Sequence, residues 1–188
     1  MARWDPGTEG RLAQAALELF AERGYEDVTV THIAERAGIT RRSYFRYFPD
    51  KREVLFAGSD RLPPALAEAV LTADDSAAPL PAVLEAFAQI GSRLVEVIEH
   101  AAERRAVIDA SPELQERERT KLAALADAAR QALRERGVDS DHAKLVARMA
   151  TIAFQSAFER WVYTDGERDF PSCLQSVTDS LRGALPAP

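Results

Sequence analysis

The 188-residue chain contains a single cysteine, Cys173. No internal disulfide and no cysteine-based zinc site can therefore form, and a lone cysteine among apolar helical residues is typical of a hydrophobic core. Aromatic residues make up only 7% of the sequence. This favours helices over a sheet in a chain that is otherwise rich in Ala, Leu, Glu and Arg. We therefore expect an all-α fold.

Long apolar runs and the usual signatures of enzymes are also missing. No window approaches the roughly 18 uncharged apolar residues of a membrane span, and the start, MARWDPGTEG, lacks the apolar core of a signal peptide. We therefore expect a cytoplasmic protein. The sequence has no Gly-rich phosphate loop, no His-Glu-x-x-His and no nucleophile elbow, and its three histidines are far apart. It therefore predicts no enzyme, and it gives no indication of a cofactor or a metal site.

Positive charge is scarce overall but concentrated in one segment. The formal net charge is -6, yet residues 1–56 are neutral and residues 57–188 carry the whole excess of negative charge. Between residues 28 and 52, six basic side chains face only two acidic ones, Glu35 and Asp50. The basic residues are Arg36, Arg41, Arg42, Arg46, Lys51 and Arg52. Such a patch on an acidic protein is typical of a binding site for a polyanion, although a solvated basic surface would have the same composition.

Apolar periodicity predicts three helices in this part of the chain. The first runs from Thr8, as its N-cap, to about Arg23 and is ended by Gly24. The second follows Thr29 with the sequence VTHIAERA, and the third follows Thr40 and runs to Phe48, where Pro49 ends it. Two short helices joined by a tight turn after a longer first helix make a helix-turn-helix unit. A further helix is predicted to open at Asp50, with Glu53 completing a capping box.

The third helix has two different faces. At about 100° per residue, Tyr44 and Phe48 fall on one side, where they would face the core, and Arg42 with Arg46 falls on the other. An arginine on a helix in the major groove can donate two hydrogen bonds to guanine. Side chains on the flank are suited to phosphate oxygens, which fix register without reading sequence; they are Ser43, Tyr47 and Lys51.

The stretch RLAQAALELFAERGYEDVTVTHIAERAGITRRSYFRYFPDKREVLF, residues 11–56, resembles the N-terminal DNA-binding domain of TetR-type transcriptional repressors. The resemblance implies that Thr40, Arg41 and Arg42 approach bases. It also implies that the DNA backbone is held by Thr29, Ser43, Tyr47 and Lys51. One position departs from the pattern: Phe45 stands where the family usually has a tyrosine whose hydroxyl touches phosphate, and Arg46 is the candidate to replace that contact.

Two further candidates lie near this unit. Arg3 and Trp4 are suited to a minor-groove arm, although chain termini are usually frayed. His32 is predicted to face outward beside the third helix, as a solvated or phosphate-near side chain rather than a metal ligand.

The remainder of the chain also reads as helical, so we divide it into a DNA-binding domain, residues 1–55, and an effector-binding and dimerisation domain, residues 56–188. Four helical segments are predicted, and breaks are expected at the Pro63-Pro64 pair and at the loops between them. In the first segment, one apolar stripe indicates an amphipathic helix against a core; it comprises Val83, Phe87, Ile90, Leu94 and Val97.

The segment from His142 to about Thr164 is apolar on nearly all sides, so it must be covered on several sides. One cover is its own domain, and we expect the other to be a second copy of the chain. Together with the last helix it would form a four-helix bundle across a homodimer, which the family resemblance also implies. Two recognition helices about one helical turn apart would then read a palindromic site.

The resemblance further implies that this second domain holds an inducer pocket whose occupation moves the DNA-binding heads. The candidate lining residues are Phe87, Ile90, Leu94, Phe154, Phe158 and Trp161, with Arg93, His100, Arg148 or Gln155 as polar anchors. The alternative is that these aromatic residues are only core and interface. The stretch RRAVIDASPELQERER is also similar to a TetR subgroup associated with acyl-CoA-like ligands.

The sequence therefore indicates a DNA-binding transcriptional regulator, a repressor that binds a palindromic operator as a homodimer and is released by a small-molecule inducer. The alternative is a helical protein–protein interaction adaptor that has the same fold but binds no specific DNA. An adaptor would not need Arg42 and Arg46.

Overall fold

The structure, a computed structural model, describes residues 7–164 and 167–184, and within these ranges the chain forms only helices, turns and loops. The α-helices are α1 (Gly7–Arg23), α2 (Val30–Arg36), α3 (Arg41–Tyr44), α4 (Leu62–Leu71), α5 (Pro79–Val97), α6 (Ala101–Asp109), α7 (Pro112–Glu135), α8 (Ser140–Tyr163) and α9 (Phe170–Ala184). Short 3-10 helices span Glu53–Phe56 and Ser59–Arg61. The predicted all-α fold class is confirmed. No helix in the described ranges is both long and apolar enough to cross a membrane.

By contacts the described chain divides into two compact units. The first contains the N-terminal residues up to Ser59 together with 100–119, and the second contains 60–99 and the residues from Thr120 onward. The first unit thus includes a segment that the sequence assigns to the second domain. The functional division after residue 55 stays a prediction.

The first unit has its own hydrophobic core. Its buried side chains come from α1, α2, α3, the 3-10 helix Glu53–Phe56, α6 and the start of α7; among them are Leu12, Leu19, Phe20, Ile33, Tyr44, Phe48, Val54, Ile108 and Leu114. α1 packs on α2, on the 3-10 helix and on α6. The helix-turn-helix is therefore held by helices that precede and follow it in sequence.

Local structure in this unit differs from the prediction at three points. Thr8 is buried inside α1 and accepts a hydrogen bond from Arg11 instead of capping the helix. α3 is shorter than expected because the backbone tightens after Tyr44: the amides of Arg46 and Tyr47 bond three residues back. After Asp50 the chain forms a 3-10 helix instead of an α-helix.

In the second unit, α5 packs against α8 and α9, and α4 covers α5. Phe87 on α5 stacks on Phe154 of α8 with ring centroids 4.7 Å apart, and Phe154 lies 5.5 Å from Phe170 of α9. All three rings are buried. This aromatic cluster is the centre of the core between the three helices.

Two sequence predictions for this unit are wrong. Pro63 and Pro64 do not interrupt helical structure. They lie in the first turn of α4, where a backbone N–H group would have no acceptor within the helix, so its absence costs nothing. The apolar stripe of α5 ends before Val97, which is 74% exposed at the last residue of the helix. The chain then leaves the helical path, because Ile98 is extended and His100 adopts a left-handed conformation with φ of 53°.

Candidate nucleic-acid interface

The start of α2 is fixed by a reciprocal pair of hydrogen bonds. The Oγ1 atom of Thr29 accepts from the amide of His32 at 3.2 Å, and Nδ1 of His32 accepts from the amide of Thr29 at 3.2 Å. This is a capping box in which His32 replaces the usual Glu or Gln. His32 is partly buried here, so its role in the structure is to hold the helix start, which the sequence did not indicate.

The start of α3 is fixed by an N-cap. The hydroxyl of Thr40 accepts from the amide of Ser43 at 3.1 Å and lies 2.9 Å from the hydroxyl of Ser43. Gly38, at φ of 72°, supplies the left-handed turn that joins α2 to α3. These bonds fix the position of the first turn of α3, which carries Arg41 and Arg42.

Tyr44 and Phe48 anchor α3 in the core. Tyr44 is fully buried, and its hydroxyl donates to the carbonyl of Asp50 at 3.0 Å. Burial raises the pKa of Tyr44, with Asp50 and Glu53 contributing, so the phenol stays protonated and remains a donor. The prediction that Tyr44 and Phe48 face the core is confirmed, and the opposite side of α3 must therefore face outward.

The outward side of α3 and the turn that follows it carry the charged groups. Arg41, Arg42 and Arg46 are exposed, and Phe45 lies among them with 46% of its surface accessible. The guanidinium of Arg41 lies 5.5 Å from the centre of the Phe45 ring. The arrangement leaves three cations and one aromatic ring on a single surface, which we call the α3 face.

The other basic residues of the patch have structural partners. Arg36 joins α2 to α1 through Glu18 and Glu22, at 3.1 and 3.0 Å. Arg52 pairs with Asp50 at 2.8 Å, and this hydrogen bond is the main reason why the pKa of Asp50 is lowered. The local excess of positive charge is therefore concentrated on the α3 face.

Lys51 was predicted to contact a DNA phosphate, but in the structure its ammonium group contacts Tyr25. Its Nζ atom donates to the carbonyl of Tyr25 at 2.7 Å and lies 3.9 Å from the centre of the Tyr25 ring. Lys51 thus supports the turn between α1 and α2, and an ammonium group has two further donors. Tyr47 is partly buried and packs on the core of the first unit. Both stay predicted phosphate contacts.

The segment 100–119 braces the end of the helix-turn-helix. Nε of Arg104 donates to the carbonyl of Leu55 at 2.8 Å, and its guanidinium lies 5.2 Å from the centre of the Phe56 ring. Burial lowers the pKa of Arg104 to about 10, so it is still a cation at neutral pH. Arg117 forms an ion pair with the buried Glu53. The contacts of Arg104 and Arg117 could not be predicted from the sequence. Both arginines lie among residues of mixed charge, and nothing in that local pattern indicates a partner some fifty or more residues earlier in the chain.

The candidate inducer-binding residues fall into different environments. Phe87, Ile90 and Phe154 are buried in the core of the second unit, and the partly buried side chains packed against that core include Leu94, Phe158 and Trp161. Of the proposed anchors, Arg93 is exposed and Gln155 donates to Glu159 at 3.1 Å. His100 belongs to the other unit and contacts Glu103.

Arg148, the remaining anchor, lies at a polar cleft of about 310 Å³ between α7 and α8. The cleft is lined by Ala126, Asp127, Arg130, Ser140, Asp141, Lys144 and Arg148. The candidate apolar residues thus share one core, and Arg148 is at a separate surface. Throughout the described ranges, no cluster of three or more His, Cys, Asp or Glu side chains is arranged to hold a metal ion.

Two short N-capped helices, a buried aromatic anchor and an outward face of arginines define a helix-turn-helix DNA-binding regulator. Residues 12–57 match the model of the bacterial regulatory proteins of the tetR family, and residues 77–186 match the model of the MftR C-terminal domain. The chain belongs to the tetR family of transcriptional regulators. The predicted family is therefore confirmed.

Related proteins agree with this assignment. The uncharacterized HTH-type transcriptional regulator Rv2250c of Mycobacterium tuberculosis is 26% identical over 180 residues, which are 95% of this chain and 94% of the relative. The HTH-type transcriptional activator FasR of Mycolicibacterium smegmatis is 28% identical over 187 residues, covering 94% of this chain and 82% of FasR. Among solved structures, FadR from Bacillus subtilis in complex with stearoyl-CoA has a TM-score of 0.58 at 20% identity and covers 94% of this chain and 99% of that one.

Proposed function

We propose that this regulator is a repressor that binds a palindromic operator as a homodimer and releases it when a small-molecule inducer binds. The observation that carries the proposal is the α3 face: Arg41, Arg42 and Arg46 point away from a core that buries Tyr44 and Phe48. A repressor acts by occupying DNA, for which this face is suited. As an operator-binding protein it works in the cytoplasm, as a regulator rather than an enzyme.

Arg41, Arg42 and Thr40 approach base edges, where an arginine can bind O6 and N7 of guanine. Arg46 holds a phosphate in place of the tyrosine hydroxyl that Phe45 lacks. The remaining contacts to the DNA backbone come from Ser43, within α3, and from Thr29, Tyr47 and Lys51, which lie outside it.

An apolar stripe on α8 supports the homodimer. Leu145 and Ile152 are 59% and 60% exposed, and Tyr163, near the same side of the helix, is 78% exposed. Large apolar side chains at spacings of seven and eleven residues along one helix are typical of a surface that a second helix covers. Leu181 of α9, 42% exposed, adds to this apolar surface. We propose that α8 and α9 of two chains form a four-helix bundle.

For the inducer we propose a site in the second unit, lined by Phe87, Ile90, Leu94, Phe154, Phe158 and Trp161. An apolar ligand, such as one with the acyl chain of an acyl-CoA, suits this largely apolar set of residues. The FadR complex with stearoyl-CoA gives this class some support, because the two chains share their fold. Because the aromatic rings already pack on one another, a ligand would have to separate them on entry.

The proposal is tested by replacing Arg42 and Arg46 with Ala together. We expect a folded dimer that has lost sequence-specific DNA binding, whereas an interaction adaptor would lose nothing. The matched control replaces two exposed arginines elsewhere, Arg23 and Arg134, so that the net charge changes equally. Specific binding by the wild type should also weaken steeply as salt rises from about 50 to 200 mM, because neutralised phosphates release counterions. An affinity insensitive to salt, or a double variant that binds as tightly as the control, contradicts the proposal.

A further inference from the structure

We propose that Phe45 reads sequence, through contact of its ring with the C5-methyl group of a thymine in each half of the operator. This inference rests on the proposed function and adds a base preference to it. It assigns a role to the residue at which the chain departs from its family pattern.

Phe45 is an exposed aromatic ring on a surface that is otherwise cationic. It is 46% accessible, although most large apolar side chains of the first unit are buried. A phenyl ring has no donor or acceptor for a phosphate oxygen. It therefore cannot replace a tyrosine hydroxyl, whereas its apolar surface gains free energy when it packs against another apolar group.

The ring is held in one orientation before any DNA is present. It packs edge-on against the buried ring of Tyr44, with centroids 5.6 Å apart and planes at 82°. The guanidinium of Arg41 lies over the same ring, 5.5 Å from its centre. The backbone of Phe45 is helical, with φ of -66° and ψ of -3°. A contact made by this ring therefore loses little side-chain entropy on binding.

The position also brings Phe45 among the residues assigned to base contacts. One helical turn separates it from Arg41, and both lie on the α3 face. In the major groove the thymine methyl is the one apolar group that a base pair presents, and phenylalanine is among the residues that contact it. A guanine bound by Arg41 and a thymine bound by Phe45 would then be neighbours in each half-site.

The test uses the full-length protein and the operator obtained by selection from random DNA. Each thymine is replaced in turn by deoxyuridine, which removes only the methyl group, and the Kd of each duplex is measured by fluorescence anisotropy. For wild type, one symmetry-related pair of substitutions should weaken binding about fourfold per half-site and about 16-fold when both are made. Phe45→Ala should bind the thymine and deoxyuridine operators equally.

Two further variants complete the design. Phe45→Leu keeps an apolar side chain and should retain part of the preference for thymine. Leu71→Ala removes a similarly exposed apolar side chain, 42% accessible in the second unit, and should keep the full preference. Circular dichroism is used to check that each variant is folded.

A wild type that is indifferent to every thymine methyl overturns the inference, as does an undiminished preference in Phe45→Ala. Both outcomes leave the operator itself bound, so they differ from failure of the proposed function, in which random DNA yields no enriched sequence.

Discussion

Gly91 gives the sharpest prediction for the core of the second unit. It is a buried glycine within α5, and a Cβ atom built there would lie 2.7 Å from Cζ of Phe170 and closer still to two other atoms of that ring. Carbon atoms in favourable contact are about 3.5–4.0 Å apart. The Phe170 ring, 1% exposed and in contact with Phe154, must therefore move if Gly91 is replaced by Ala.

Two opposing effects determine how much Gly91→Ala changes the free energy of unfolding. Overpacking of a well-packed core costs about 1–3 kcal/mol, whereas Ala in place of Gly within a helix gains up to about 1 kcal/mol. The overlap involves three ring atoms, so we expect the cost to prevail. Gly91→Ala should lower the free energy of unfolding by about 1–2 kcal/mol, or the Tm by roughly 2–8 °C for a chain of this size.

The assay is thermal and urea unfolding followed by circular dichroism at one fixed protein concentration. Gly10→Ala is the matched control, because Gly10 lies within α1 and an added Cβ meets nothing within 4 Å; it should be as stable as wild type or more stable. The double variant Gly91→Ala with Phe170→Leu should recover part of the loss, since leucine is smaller. If Gly91→Ala is stabilised as much as the control, the Phe170 ring is easily displaced and the added methyl group does not overpack the core.

Three further predictions concern the α3 anchor, its brace and the dimer. Tyr44→Phe removes a buried hydrogen bond and should lower the free energy of unfolding by about 1 kcal/mol, measured by urea unfolding; an unchanged midpoint contradicts the anchor. Arg104→Ala leaves the Leu55 carbonyl without its charged donor and should cost about 1.5–3 kcal/mol in the same assay; a loss below about 0.5 kcal/mol, typical of a surface substitution, would mean that the brace is not used. Leu145→Asp with Ile152→Asp should sediment as a monomer and lose operator affinity, because charge is placed on the proposed bundle surface; an unaltered dimer disproves that surface.

The sequence predicted the helix-turn-helix well because its signals are local. Thr29 and Thr40 were recognised as caps, and both accept from the amide three residues on. Helical spacing correctly predicted that Tyr44 and Phe48 face the core and that the arginines face outward, because the helical repeat alone determines which residues share a face. The predicted α3 is nevertheless too long. After Tyr44 the chain continues to turn, but the amides of Arg46 and Tyr47 bond to carbonyls three residues back, as in a 3-10 helix.

The parts that could not be predicted depend on partners distant in sequence. The bonds of Arg104 to Leu55 and of Lys51 to the Tyr25 carbonyl join residues 49 and 26 positions apart. Nothing in the local pattern of either side chain indicates such a partner. The helix α4 was missed for another reason: paired prolines read as a break, yet they are compatible with the first turn of a helix.

We propose that a dimer of this chain presents the arginines of the α3 face twice to DNA. Selection of bound duplexes from a random pool by the full-length protein tests it most directly, with the Arg42→Ala, Arg46→Ala double variant selected in parallel. We expect the wild type to enrich an inverted repeat with guanine in each half and half-sites about one helical turn apart, and the double variant to enrich none. Enrichment of an unrepeated sequence, of no sequence, or of the same repeat by both proteins would contradict it.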